Sequence, residues 1–114
     1  MRVERVAVGA DYRADAAAME KAITRNTIAL VGSAVCFPFG VVDPIRDLGQ
    51  VAKRHGLWLH VDACVGGYSA PFVKKLGYPV PDFDFAVPGV CSMSADLHKY
   101  GFCAKGTSSV FYRN

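Results

Sequence analysis

The run "TIALVGSAV" (Thr27 to Val35) decides the fold class, because it is apolar along almost its whole length and rich in β-branched residues. An apolar run without alternation predicts a strand that is buried on both faces. Such strands are typical of parallel sheets covered by helices. A second run of this kind, "LWLHVDA" (Leu57 to Ala63), follows after a helical segment. The sequence therefore predicts an α/β fold with a mostly parallel sheet flanked by helices.

The remaining segments extend this pattern in both directions. Between the two apolar runs, Asp43 and Pro44 predict a helix with Asp43 as its N-cap, ending at about His55 before Gly56. The other predicted elements are a first strand over 5–8, a helix around 16–23 capped by Asp11 or Asp15, and a short helix over 71–76 after a break at Gly66-Gly67. Two strands, over 90–95 and 108–112, close the chain. The order β-α-β-α-β-α-β-β contains no repeat, and 114 residues fit one domain.

The composition is typical of a folded, soluble chain. Hydrophobic residues make up 52% and charged residues 20% of the sequence, and the net charge is only +3. The basic residues are scattered, which argues against nucleic acid as a partner, and Lys74-Lys75 is expected on a solvated helix face. No apolar stretch is long enough to cross a bilayer.

The four cysteines favour an intracellular, reducing compartment. None forms a C-x-x-C pair, so a zinc site is not expected. Three of them, Cys36, Cys64 and Cys91, lie in or beside apolar strand-like runs, and buried free thiols are the simpler interpretation. A cytoplasmic location follows as an expectation.

Two polar features come at the ends of predicted strands, where ligands bind in sheets of this kind. Asp62 ends one strand, and Lys99 follows another in "SADLHKYGF" (Ser94 to Phe102). Taken alone, Asp62 could cap a helix or pair with a basic residue, and Lys99 could be a lysine reaching from a strand end to water. A desolvated lysine has a lowered pKa, and its neutral amine can attack a carbonyl compound.

Together the two residues match what pyridoxal phosphate requires. That cofactor needs a lysine for its aldehyde and an acidic partner for its ring nitrogen. One crossover, one strand and a turn separate Asp62 from Lys99, so neighbouring strand ends can present both to one ligand. His98 can contact the cofactor phosphate or cap the turn. The sequence therefore predicts a pyridoxal phosphate site at the carboxyl edge of the sheet.

Four motifs resemble the fold-type I pyridoxal-phosphate enzymes of the group II decarboxylase family. They are "FPFGVVDPI" (37–45), "HVDACVGGY" (60–68), "GVCSMSADLHKYGF" (89–102) and "AKGTSSVFYR" (104–113), and the resemblance covers about Asn26 to Arg113, most of the chain. The resemblance implies that Lys99 is the Schiff-base lysine, that Asp62 binds the pyridine nitrogen and that His98 lies near the phosphate. Cys64 falls where the family packs a small residue against the cofactor ring.

The resemblance also implies an activity, with three alternatives open. "DACVGG" is similar to the lyase branch, which cleaves a carbon–carbon bond in a phosphorylated long-chain amino alcohol by a retro-aldol step. An amino-acid decarboxylase of the glutamate or aromatic type would share every residue named so far. Phe39 and Leu97 depart from the lyase pattern, in which a polar and a hydroxyl side chain are common, and this leaves the substrate open.

The third alternative is an inactive fragment. Family members are several times longer, so the chain is expected to be part of a large cofactor domain that lacks its N-terminal part and the small C-terminal domain. The isolated 114 residues are then expected to have little or no activity. A homodimer is implied for the full-length protein, because the family's active sites form at a dimer interface.

Overall fold

The computed structural model describes all 114 residues, which form four helices and five strands. None of the helices is long and apolar enough to cross a membrane. In chain order the elements are α1 (Ala16–Lys21), β1 (Ala29–Cys36), β2 (Val41–Val42), α2 (Ile45–His55), β3 (Trp58–Asp62), α3 (Gly66–Lys75), β4 (Val90–Ala95), α4 (Leu97–Tyr100) and β5 (Ser109–Tyr112).

The five strands form one sheet in the order β2-β1-β3-β4-β5. The three central strands run parallel, and the two edge strands pair antiparallel with their neighbours. In the parallel register Gly32 lies beside Val61, and Asp62 lies beside Ser94. The mostly parallel α/β sheet predicted from the apolar runs is therefore confirmed.

Helices α2 and α3 pack on the same face of this sheet. Gly32 makes room for α2, since a Cβ at this position would lie 2.7 Å from the Leu48 side chain. A Cβ on Gly67, at the start of α3, would lie 2.6 Å from the Ala95 Cβ and 3.5 Å from that of Ala63, which is on the Val61 side of β3. The core forms here, because Leu48 and Val61 are fully buried.

The opposite face of the sheet is only partly covered by the 114 residues. Val31 and Trp58 remain 55% and 45% exposed on this face. The prediction that β1 is buried on both sides is therefore wrong for this chain, because both crossover helices lie on one side. The apolar side chains that made the run continuous are the ones left in contact with solvent.

Helix α2 ends as predicted but begins differently. Gly56 ends it in the left-handed conformation at φ 63°, which glycine adopts without strain. Asp43 was expected to cap the first turn, but no side chain caps α2. Its two carboxylate oxygens instead accept hydrogen bonds from the Ser33 N–H at 2.7 Å and the Ala14 N–H at 2.8 Å. Asp43 thus ties the N-terminal segment to β1.

The N-terminal prediction is half correct. Asp15 caps α1, and its Oδ1 accepts from the Ala18 N–H at 2.9 Å, whereas Asp11 does not serve as the cap. No strand forms over residues 5–8, where only an isolated bridge joins Val8 to Ala14. These residues have no neighbouring strand in the chain to pair with, so their apolar character alone does not make them extended sheet.

Two further elements differ from the prediction. The Gly66-Gly67 pair does not break the chain but begins α3, because only glycine permits the close approach of this helix to the sheet. A Cβ on Gly66 would lie 2.4 Å from the Ala34 carbonyl oxygen. The short antiparallel strand β2 was not expected, since Val41–Val42 is too brief for a periodic signal.

Lys74 lies on the exposed side of α3, as expected, and donates to Asp82 at 2.7 Å. All four cysteines are free, but Cys36, Cys64 and Cys91 are only half-buried and Cys103 is exposed, so the expectation of buried thiols is wrong. Cys103 lies in the turn after α4, outside any strand.

Candidate active site

Asp62 is the last residue of β3 and lies at the carboxyl edge of the sheet, as predicted. Its Oδ1 accepts two hydrogen bonds, one from the Cys64 N–H and one from the Ser94 hydroxyl, each at 3.1 Å. Ser94 is brought there by the parallel register of β4 with β3. The protein therefore orients one carboxylate oxygen and leaves Oδ2 available to a ligand.

Asp62 is held in its charged form. Burial is the largest single influence and acts to raise its pKa, but the hydrogen bonds from Cys64 and Ser94 and the charge of Lys99 together outweigh it. The net result is a pKa below the ordinary aspartate value. At neutral pH the site presents a carboxylate, which is the state required to bind a protonated ring nitrogen.

Ser94→Ala removes one of the two donors to Asp62 Oδ1, and we expect the pKa of Asp62 to rise. The loss should cost about 1–2 kcal/mol of stability near pH 7, since the acceptor is charged. A lowered carboxyl pKa contributes stability above the unfolded value, and this contribution is lost as pH falls through the folded value. The difference from wild type should therefore shrink only below the ordinary aspartate pKa, as measured by chemical denaturation of the full-length protein at intervals from pH 7 down to pH 2.

Ser69→Ala is the matched control for this prediction. Its hydroxyl donates only to the neutral Val65 carbonyl, at 3.2 Å on α3. The control should lose a pH-independent amount of stability. If the stability lost in Ser94→Ala were also the same at every pH, this would contradict the role assigned to the Ser94–Asp62 hydrogen bond.

Lys99 lies near the same edge, but on a different element from the one expected. Strand β4 ends at Ala95, and Lys99 sits in the one-turn helix α4 that follows. Its ammonium is 2.9 Å from Asp96 Oδ2, and one third of its side chain is exposed. A contact with the Cys64 thiol and the ion pair with Asp96 raise the pKa of Lys99. The expectation of a desolvated lysine with a lowered pKa is therefore wrong for this structure.

Cys64 lies between the two predicted site residues. Its N–H donates to Asp62, and its thiol approaches Lys99 closely enough to influence the pKa of that ammonium. Burial, the main cause, raises the pKa of the Cys64 thiol above its ordinary value. The structure thus brings Asp62, Cys64 and Lys99 together. A contact between Cys64 and a cofactor ring stays a prediction.

His98 hydrogen-bonds to the segment before β5, and its Nε2 lies 3.8 Å from Asp96 Oδ2, the oxygen that also contacts Lys99. Its Nδ1 donates to the Thr107 carbonyl oxygen at 2.9 Å, and its backbone N–H donates to the same oxygen at 3.1 Å. A carbonyl can only accept, so Nδ1 carries a proton. This geometry agrees with the alternative prediction that His98 caps the turn. Its role at a cofactor phosphate stays a prediction.

Two residues near Lys99 were not identified from the sequence. Asp96 pairs with Lys99, and the Ser108 hydroxyl donates to the other oxygen of the same carboxylate. The i, i+3 spacing of Asp96 and Lys99 was the available signal, but it indicates a contact only if the segment is helical. The predicted strand ends at Ala95 and a turn, not a helix, was expected after it, so the spacing did not indicate this contact.

The cluster combines a carboxylate, a thiol and a primary amine at one edge of a parallel sheet. The carboxylate has a free oxygen for a cationic ligand atom, and the amine is within reach of the same region. Such a pair can bind a planar ring at its nitrogen and hold an aldehyde on the ring covalently.

A family model described as "Pyridoxal-dependent decarboxylase conserved domain" matches residues 2–114. Among curated relatives, the sphingosine-1-phosphate lyase of Arabidopsis thaliana is 54% identical over 100% of this chain and 21% of its own length. The sphingosine-1-phosphate lyase 1 of Mus musculus is 49% identical, again over 100% of this chain and 20% of its own length. The chain therefore spans about one fifth of the length of the curated relatives it matches.

Solved structures give the same picture. A sphingosine-1-phosphate lyase from Burkholderia pseudomallei superposes with a TM-score of 0.89 at 46% identity, covering 91% of this chain and 24% of that one. Mouse CSAD superposes with a TM-score of 0.77 at 20% identity, covering 94% of this chain and 23% of that one. At that identity the second likeness concerns the fold alone.

Proposed function

The chain belongs to the pyridoxal-dependent decarboxylase family, and on this basis we propose that it is part of a pyridoxal-phosphate-dependent carbon–carbon lyase. The full-length protein would cleave a phosphorylated long-chain amino alcohol of the sphingosine-1-phosphate type. The products would be a long-chain aldehyde and a phosphorylated amino alcohol of two carbons.

One observation carries this proposal. The chain is 54% identical over its whole length to a protein named sphingosine-1-phosphate lyase, and its backbone superposes on another of that name with a TM-score of 0.89. The residues compared include the edge cluster of Asp62, Cys64 and Lys99. The likeness to mouse CSAD supports only the fold, so the decarboxylase alternative has less support than the lyase.

The residues at the edge of the sheet fit pyridoxal phosphate. Oδ1 of Asp62 accepts from the Cys64 N–H and the Ser94 hydroxyl, whereas Oδ2 has no hydrogen bond of comparable geometry. Lys99 provides a primary amine from α4, directly after the neighbouring strand β4, and its positive charge lowers the pKa of Asp62. When bound, the cofactor supplies an aldehyde that links covalently to amines and a ring that holds the electron pair of a broken bond.

We assign the roles of the chain's own residues as follows. Asp62 would stabilise the positive charge of the ring nitrogen through a charge-assisted hydrogen bond. Lys99 would bind the aldehyde carbon and, as the neutral amine freed when a substrate amine takes its place, would accept a proton from a substrate hydroxyl. Cys64 packs beside the ring, and His98 orients the turn that leads to the phosphate.

Other properties of the full-length protein are also proposals. We assign residues 1–114 to part of the large cofactor-binding domain, and we propose a homodimer on the basis of the family resemblance. A reducing, cytoplasmic compartment is consistent with four unpaired cysteines. Little or no activity is expected of the 114 residues alone.

The test is a product assay of the full-length protein. A phosphorylated long-chain amino alcohol should give a long-chain aldehyde, while glutamate and aromatic amino acids should release no carbon dioxide. Carbon dioxide without aldehyde would replace the lyase with the decarboxylase. Turnover of the purified 114-residue chain at about 1 per second or more would contradict its assignment as an inactive fragment.

A further inference from the structure

We propose that Asp96 is a positioning residue that holds the free ammonium of Lys99 and sets the pH range in which Lys99 becomes a reactive amine. The proposal rests on the function assigned to Lys99 above. It concerns the protein whenever this lysine is not covalently engaged, which includes the cofactor-free form and the time that substrate occupies the cofactor.

The contact is direct, and the carboxylate is well anchored. Asp96 Oδ2 lies 2.9 Å from Lys99 Nζ, and the Asp96 side chain is only 12% exposed. Its Oδ1 accepts a hydrogen bond from the Ser108 hydroxyl, just before β5. One oxygen is therefore committed to the scaffold, and the other faces the lysine.

The backbone around Asp96 restricts its movement. Its N–H donates to the Cys64 carbonyl at 3.2 Å, which joins the end of β4 to the connection after β3. Its own carbonyl accepts from the Lys99 N–H at 3.3 Å. Asp96 is thus fixed between two strand ends, beside the position that the free Lys99 side chain occupies.

The charges around Lys99 are dominated by acids. Asp62 and Cys64 come from the end of β3 and the connection after it, and Asp96 precedes α4. His98 is the other titratable group here, with its Nε2 3.8 Å from Asp96 Oδ2. The Ser108 hydrogen bond, the largest cause, and the Lys99 contact lower the pKa of Asp96. Both members of the pair are therefore charged at neutral pH.

This charge state has a chemical consequence. Lys99 must lose one proton to solvent before its nitrogen lone pair can attack a carbonyl carbon, and an anion beside the ammonium opposes that loss. Asp96 therefore slows attack at neutral pH while keeping Lys99 in place. If Asp96 acted only by stiffening α4, its loss would change the labelling of Lys99 by the same factor at every pH, whereas loss of its charge changes labelling only where Lys99 is protonated.

The experiment measures the reactivity of individual lysines in the cofactor-free, full-length protein. Competitive acetylation with acetic anhydride between pH 6 and pH 11, read by mass spectrometry, gives the pH profile of Lys99. In Asp96→Asn, labelling of Lys99 at pH 7 should rise about two- to five-fold, the range that a partly exposed ion pair supports. The profiles should converge at high pH, where the amine is neutral in both proteins. Capture of added pyridoxal phosphate should accelerate by the same factor.

Asp82→Asn is the matched control, because Asp82 holds Lys74 at 2.7 Å on the surface of α3. It should change the profile of Lys74 and leave that of Lys99 unaltered. Ser108→Ala provides a second variant should Asp96→Asn fail to fold. It removes the anchor on Oδ1, and the Lys99 profile should move in the same direction by a smaller amount.

Two outcomes would overturn the inference. One is an unchanged Lys99 profile in both Asp96→Asn and Ser108→Ala. The other is a rise of equal size at every pH, which indicates greater exposure of Lys99 rather than a lost charge. Borohydride reduction of the holoenzyme separates this from the proposed function. Cofactor fixed to another lysine would overturn the function, whereas cofactor fixed to Lys99 with an unchanged profile would overturn only the role of Asp96.

Discussion

Replacement of Lys99 with alanine is expected to abolish covalent cofactor binding in the full-length protein and to lower turnover by about 10⁴- to 10⁶-fold, the scale seen when a covalent nucleophile is removed. The only amine in the edge cluster with Asp62 and Cys64 is that of Lys99, so no neighbour can replace it there. The visible absorbance of the linked cofactor and the mass of the borohydride-reduced peptide measure the loss.

Lys53→Ala is the control for this prediction. Lys53 lies on the exposed side of α2, away from the carboxyl edge, and alanine is a good helix former. This variant should keep the absorbance and the turnover of wild type. A borohydride-stable cofactor on any other lysine of Lys99→Ala, together with substantial turnover, would show that the site has been assigned to the wrong residue.

Asp62→Asn is expected to keep the covalent link to Lys99 but to lose roughly 10²- to 10³-fold in turnover, the cost of removing one preorganised charge-stabilising group. Asparagine has nearly the same shape, and its amide oxygen can still accept from the Cys64 N–H and the Ser94 hydroxyl. It lacks the negative charge that keeps the ring nitrogen protonated. The visible band should remain while aldehyde production falls.

The pH dependence of wild-type turnover also follows from the charge of Asp62. Because the pKa of Asp62 is lowered, its charge persists below the ordinary aspartate range, and its contribution to turnover should be lost only as pH falls through that lowered value. Asp47→Asn, at an exposed position in the first turn of α2, is the control and should leave turnover unchanged. Equal losses of absorbance and turnover in Asp62→Asn would mean that Asp62 serves cofactor binding instead of the reaction.

The residues of the sheet edge illustrate how far the sequence leads. Asp62 was placed at the end of β3 correctly, because a carboxylate after a buried run has few other positions in a parallel sheet. Lys99 was assigned to the right edge but to the wrong element and charge state. The strand signal ends at Ala95, and a single helical turn such as α4 is too short to produce a periodic pattern.

The contacts of Ser94 and Asp96 could not be predicted from the sequence, because they depend on how separate segments are placed in the structure. Ser94 becomes a partner of Asp62 only because β4 lies parallel to β3 with these residues side by side. Asp96 becomes the partner of Lys99 only because the chain turns helical directly after β4. Hydrogen-bond partners across strands depend on alignment to within one residue, and hydrophobic patterning alone does not specify that alignment.

The sequence by itself determined the fold class, the parallel core of the sheet and the two charged residues at its edge, because runs of apolar residues and the residues that follow them are local properties. The tertiary structure alone decided which charges meet. It paired Lys99 with Asp96, gave Asp62 its two donors on one oxygen and placed both crossover helices on one face. Ion pairs and pKa shifts act over a few ångströms, and those distances are set by packing between segments far apart in the chain.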